Sequence, residues 1–219
     1  LRMLMLSDAA RVLSGQLIGS DARFQRVVTD SRTVQAGDLF VALVGEKFDA
    51  HDFVPDVLAK GAYALVSRDV AGQGSVIRVA DTRLALGKLA ADWCAHLDVK
   101  RIGITGSNGK TTVKEMVAAI LRAHAGDAVV HATAGNFNND IGLPLTLLGL
   151  SPAHRYAVIE MGMNHAGEMK RLTEWVRPRI AVITTIEPAH IAHFKTVEDI
   201  ADAKAFFQAQ GRQTTRDRI

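Results

Sequence analysis

The stretch "GITGSNGKTTVKEM", residues 103–116, gathers glycines, a lysine and threonines in an order that can bind phosphate. Gly106 and Gly109 let the backbone turn N–H groups toward an anion. Lys110 adds a mobile cation, and the Thr111 hydroxyl is a hard oxygen ligand suited to magnesium. The strict G-x-x-x-x-G-K-[ST] pattern is not satisfied, because its first glycine would fall on Ile104. Context still predicts a nucleotide loop over a structural turn. "RIGIT" before it is an extended apolar run, and Val113, Met116, Val117, Ile120 and Leu121 form a helical stripe after it.

Seven other residues could take part. Glu160 closes the apolar run "YAVIE", where a carboxylate is costly to bury unless paired or bound to a cation; the alternative is a solvent-exposed strand-end glutamate. Asn136, Asn138 and Asn139 stand in "GNFNND" and by composition alone are turn residues. His190 and His193 in "EPAHIAHF" are candidates for a metal or for an ordinary loop, and Lys204 lies at the edge of an apolar helical stripe, as a snorkelling lysine would.

These residues require strands that end at a common edge. From residue 100 onward, short buried-type runs alternate with helical patterns: "RIGIT", helix 111–124, "AVVHA", a helix near 144–148, "YAVIEM", helix 167–176, "IAVITT" and helix 197–209. That alternation predicts a parallel sheet covered on both faces, with ligands at the carboxyl ends of its strands. Upstream, "FQRVVTD", "LFVAL", "AYALVS" and "SVIRVAD" predict a small mixed α/β unit, followed by a helix through "TRLALGKLAADWCAHL" and a hinge at 98–100. The expected domains are 1–98 and 99–219.

Composition fits this plan. A chain of 219 residues with 48% hydrophobic content can fill two cores, and a net charge of +3 with dispersed Lys and Arg argues against nucleic acid. No apolar run approaches membrane-spanning length, so no membrane insertion is expected. The single cysteine, Cys94, sits in a helical pattern as a buried thiol rather than a nucleophile, and a reducing cytoplasm fits.

"TGSNGKTT" resembles the phosphate loop of the Mur ligase family, whose spacing also departs from the strict pattern. "GNFNNDIGLPLTLL" (135–148), "VIEMGMNHAGEM" (158–169) and "DSRTVQAGDLFVALVGEKFDAHDF" (30–53) are similar to further segments of that family, in order along nearly the whole chain to about residue 208. The resemblance implies a uridine-binding domain followed by a P-loop ATPase domain, with ATP and Mg2+ as cofactors. UDP-N-acetylmuramoyl tripeptide and D-alanyl-D-alanine are the implied substrates, joined through an acyl phosphate.

On the same resemblance, Thr105, Gly106, Ser107, Asn108, Gly109, Lys110, Thr111 and Thr112 bind the nucleotide with Asn138 and Asn139. Thr111, Glu160, His190 and Lys204 hold metal, and Lys110, His190 and Lys204 act in catalysis. Ser31, Arg32, Asp49 and His51 contact the uridine diphosphate end. Lys204 would serve as a carbamate. That requires the neutral amine, about one part in 2,500 at pH 7 for a lysine with an ordinary pKa near 10.4, so a closed site is needed.

Three features depart from the family pattern. Ala50 and Thr185 stand where glycine and asparagine are common, and "DAKAFFQ" replaces the usual continuation after the lysine. The polar tail "GRQTTRDRI" closes no element, so the chain is expected to be a ligase fragment lacking a receiving domain and inactive alone. A non-catalytic UDP-sugar or nucleotide-binding module, or another step of the same family, is the alternative.

Overall fold

The structure is a computed structural model that describes residues 5–46, 48–163 and 167–185. His190, Lys204 and the expected helix 197–209 lie outside the described residues. The chain divides into two compact units between Asp92 and Trp93.

In the first unit a sheet of order β1-β5-β4-β3-β2 forms from β1 (Gln16–Ile18), β2 (Val27–Val28), β3 (Leu39–Val41), β4 (Tyr63–Val66) and β5 (Val76–Arg78). β2, β3, β4 and β5 pair in parallel, and β1 runs antiparallel on β5, so the sheet is mixed as expected. The helix α2 (Val54–Ala59), which starts with a proline in its first turn, buries Val54, Val57 and Leu58. These pack with Phe40, Ala42, Ala64 and Val66 into one core cluster. Because β2, β3 and β4 are parallel neighbours, the loops that follow them leave the sheet at one edge.

The helix α1 (Leu6–Val12) buries Leu6, Ala9 and Ala10, a stripe at i, i+3 and i+4. The helix α3 (Thr82–Ala95) follows β5, and the boundary between units falls inside it, ahead of the hinge expected at 98–100. Its last residues, from Trp93 on, belong to the second unit. The Trp93 indole donates to the Leu150 carbonyl at 2.8 Å, and Arg101 Nη1 donates to the Cys94 carbonyl at 3.1 Å.

The second unit holds a parallel sheet of order β7-β8-β6-β9, built from β6 (Lys100–Thr105), β7 (Val130–Ala132), β8 (Tyr156–Glu160) and β9 (Ile180–Ile183). The connecting helices are α4 (Lys110–Ala125), α5 (Gly142–Leu148) and α6 (Glu168–Val176). Ala118, Val113, Val117 and Leu121 of α4 pack with Ile102, Ile104 and Val158, whereas Met116 and Ile120 of the expected stripe are exposed, so the seating face is turned from the one the spacing predicted. Thr105 and Glu160, the last residues of β6 and β8, therefore open onto the same carboxyl edge. None of the described helices is long and apolar enough to cross a membrane.

Candidate nucleotide site

β6 runs into the loop at Gly106, whose φ is +151° and where a Cβ would lie 1.9 Å from the Thr184 hydroxyl oxygen. Only glycine fits that approach. Gly109 adopts the left-handed region at φ +77° and caps α4, so its glycine is needed for conformation rather than space. Lys110 begins the helix and folds back: its Nζ donates to the carbonyls of Gly106 at 3.0 Å and Ser107 at 3.3 Å.

The loop is latched to residues just past β9. The Ser107 N–H donates to the Thr185 carbonyl at 2.8 Å, the Asn108 N–H donates to Thr185 Oγ1 at 3.1 Å, and the Thr184 hydroxyl donates to the Asn108 carbonyl. The loop amides expected to face phosphate at Ser107 and Asn108 thus bind β9's extension. Helical bonding in α4 begins with Val113 N–H to Gly109 O at 3.0 Å. A helix start leaves its first amides, here those of Lys110, Thr111 and Thr112, to caps or ligands.

Glu160 is 1% exposed, which excludes the solvent-facing alternative. Its Oε2 accepts from the Thr111 hydroxyl at 2.9 Å, its Oε1 accepts from Asn138 Nδ2 at 2.8 Å, and its backbone N–H donates to Thr133 Oγ1 at 3.0 Å. Asn138 reaches it across Gly162, where a Cβ would lie 2.8 Å from the Asn138 amide oxygen. Asn139 does something else: its Oδ1 accepts from the N–H groups of Ile141 and Gly142 at 3.1 and 2.8 Å, shaping the entry to α5. Its side-chain oxygen is committed to the backbone.

A hydroxyl and a carboxylate 2.9 Å apart at a helix start are hard oxygen donors of the kind magnesium takes alongside phosphate and water oxygens. Among the described residues no three His, Cys, Asp or Glu side chains cluster as a metal cage. The Thr111 and Glu160 donors are both oxygens, which magnesium prefers over the nitrogen and sulfur ligands typical of zinc.

In the first unit, the sheet edge left by β2, β3 and β4 carries the other expected residues. Arg32 forms a two-pronged pair with Asp30, at 2.9 Å from Nε to Oδ1 and 2.6 Å from Nη2 to Oδ2, and this hydrogen bonding holds the Asp30 carboxyl down at about 2. The Ser31 carbonyl accepts from Lys60 Nζ at 3.0 Å. Burial pushes the Asp49 carboxyl up, but the His51 N–H, the His51 ring and Arg68 outweigh it and hold Asp49 below the usual carboxylate value. His51 is buried, with Nδ1 donating to Asp49 at 2.6 Å and Nε2 accepting from the Ser67 N–H at 2.9 Å. Both ring nitrogens are engaged inside the unit, so His51 orders the turn.

Arg68, which bridges Asp49 and Asp52, was not among the sequence candidates. It follows β4 at the same edge, the position where ligand residues of parallel sheets collect, and that rule could have found it. Thr133 and Thr184 were also missed.

The model of the Mur ligase middle domain matches residues 104–215, just over half of the chain. The chain belongs to the Mur ligase family. A second model, described as the Mur ligase family catalytic domain, matches residues 23–93. Curated Mur ligases similar to the chain include the UDP-N-acetylmuramoyl-tripeptide--D-alanyl-D-alanine ligases of Escherichia coli, 46% identical over 200 residues, and Bacillus subtilis, 43% identical over 182. These alignments cover 91% and 81% of this chain, but 44% and 39% of the relatives. The chain thus spans less than half the length of the Mur ligases it matches.

Solved Mur ligase structures agree. A UDP-N-acetylmuramoylalanyl-D-glutamyl-2,6-diaminopimelate--D-alanyl-D-alanyl ligase from Acinetobacter baumannii superposes with TM-score 0.86 at 38% identity, covering 97% of this chain and 48% of that one. The MurF ligase of Thermotoga maritima in complex with ADP gives TM-score 0.79 at 32% identity, covering 87% and 44%.

Proposed function

We propose that the chain is the uridine- and nucleotide-binding part of an ATP-dependent amide ligase that joins D-alanyl-D-alanine to UDP-N-acetylmuramoyl tripeptide. The observation that carries this reading is the contact of Thr111 with the buried Glu160 at the start of α4, directly behind the phosphate loop. Relatives named for this reaction support it.

In the reaction, a carboxylate oxygen of the tripeptide attacks the γ-phosphorus of ATP, the bond to ADP breaks, and an acyl phosphate forms. The amine of D-alanyl-D-alanine then attacks the acyl carbon, loses a proton and expels inorganic phosphate. Little of this needs covalent help from the protein, so positioning and charge dominate. The first amides of α4 orient the phosphates. Lys110, on leaving the Gly106 and Ser107 carbonyls, brings its ammonium to the transferring group. Thr111 and Glu160 would hold magnesium, which neutralises phosphate charge when bound, and Asn138 fixes the orientation of Glu160.

His190 and Lys204 are assigned to a second metal on family resemblance. The Ser31–Arg32 turn and Asp49, supported by His51 and Arg68, form the surface for the uridine diphosphate end.

Calorimetry on the 219-residue chain tests the division of labour. Lys110→Ala should weaken ADP binding at least about tenfold, in keeping with about 1.5–3 kcal/mol for a hydrogen bond to a charged group. Binding of UDP-N-acetylmuramoyl tripeptide should stay within about twofold. Unchanged ADP affinity in the folded variant would remove Lys110 from the mechanism.

A further inference from the structure

Lys114 sits on α4 one turn beyond Thr111, is fully buried, and has no part in the chemistry above. Lysines are almost never fully buried unless paired, and a snorkelling lysine keeps its ammonium in water. Here the ammonium points inward. Nζ donates to the Thr133 carbonyl at 2.8 Å and pairs with Glu115 Oε1 at 2.7 Å.

Thr133 follows β7 and is itself buried. Its N–H donates to the Val158 carbonyl at 3.0 Å, and its Oγ1 accepts from the Glu160 N–H at 3.0 Å. A closed circuit results: Lys114 to Thr133, Thr133 to Glu160, Glu160 to Thr111, and back along one turn of α4. No other described contact ties the helix that carries the phosphate loop to the end of β7 through a charge, and the end of β7 in turn fixes the backbone of Glu160.

We propose that Lys114 is a positioning residue: through Thr133 it sets the separation of the Thr111 hydroxyl from the Glu160 carboxylate, and so the strength with which that pair holds a cation beside nucleotide. This rests on the reading of Thr111 and Glu160 as magnesium ligands. Without the ammonium, α4 and the β7 end are free to shift against each other. The phosphates would still meet the α4 amides, but the cation would lose its preset oxygens.

The test separates cation binding from nucleotide binding. ADP affinity of the 219-residue chain is measured by calorimetry in excess magnesium chloride and again in EDTA, and the ratio reports how much magnesium assists. Groups that orient metal ligands typically change metal affinity about 10–100-fold when removed. Lys114→Met, which keeps the stem and removes the charge, should lower the ratio by about tenfold or more while the EDTA affinity stays within about twofold.

Thr133→Val should do the same, and Thr133→Ser, which keeps the acceptor for the Glu160 amide, should restore the wild-type ratio. A folded Lys114→Met with a lower melting temperature but an unchanged ratio has lost only stability, and overturns the proposal. If Lys114→Met does not fold, Lys114→Gln, which also removes the charge, is measured in its place, and a ratio equal to wild type overturns the proposal, as do equal ratios for Thr133→Val and Thr133→Ser. A wild-type ratio of one, with ADP bound, overturns the magnesium assignment itself and this proposal with it.

Discussion

The Thr111 hydroxyl lies 2.9 Å from Glu160 Oε2, joining the first turn of the phosphate-loop helix to the end of the strand beside it in the sheet. The two residues are far apart in sequence and meet because β6 and β8 are parallel neighbours whose carboxyl ends coincide.

Glu160→Gln retains the shape of this contact and removes its charge. ADP affinity in magnesium should fall at least about tenfold, or about 1.4 kcal/mol, toward the value found in EDTA. Calorimetry in the two media checks this, and an unaltered magnesium dependence would show that the carboxylate does not hold the cation.

Gly162→Ala tests the approach of Asn138. The new methyl would sit 2.8 Å from the Asn138 amide oxygen, so the amide must swing off Glu160. A loss of about 1–3 kcal/mol is expected in urea unfolding. Adding Asn138→Ala in that background should cost much less than it does in wild type, because the contact is already gone. Full additivity would mean that Gly162 does not govern Asn138.

Acid should weaken the fold through His131. Burial holds its pKa below the ordinary value; the Thr146 carbonyl, accepting at 2.9 Å, opposes this, and His154, with ring centroids 5.1 Å apart, adds to it. The unfolded chain therefore binds the proton first. The stability contributed is complete above the ordinary histidine value near 6.5 and is lost as pH falls from there through the depressed folded value. Urea midpoints at pH 7.5 and 5 should differ in wild type and differ less in His131→Gln.

Cys94 should be inert. It is buried, and burial pushes its thiol up to about 11, against a smaller opposing pull from Arg101. At pH 8 only about one part in a thousand is thiolate. A chromogenic disulfide reagent should react with it fully in denaturant and hardly at all in the folded chain.

The parallel sheet, the loop and Glu160 were legible because each rests on local signals: alternation of apolar runs with helical stripes, glycines before Lys-Thr-Thr, and a carboxylate closing a strand. Elements with too few residues to show a period escaped. α1, β1 and α2 are of this kind: their seven, three and six residues stand in stretches with no longer apolar run around them to mark an element. Partner choice escaped as well. Asn138 and Asn139 are neighbours of one type, yet one reaches Glu160 and the other binds the entry to α5, a difference fixed by backbone direction. His51 enters the candidate set on resemblance alone, and neither its burial nor its bond from the Ser67 N–H could be read from the sequence. His190 and Lys204 lie outside the described residues.

The latch between the phosphate loop and the extension of β9 also bears on how the protein is made. Ser107 and Asn108 depend on Thr184 and Thr185, 76 to 78 residues later in the chain. Such distant pairings close late, since the entropy of ordering the intervening chain must be overcome first. During synthesis β6 and α4 would emerge well before the segment that gives their loop its form. Nucleotide capture on the ribosome should therefore begin only once the residues around Thr185 have cleared the exit tunnel.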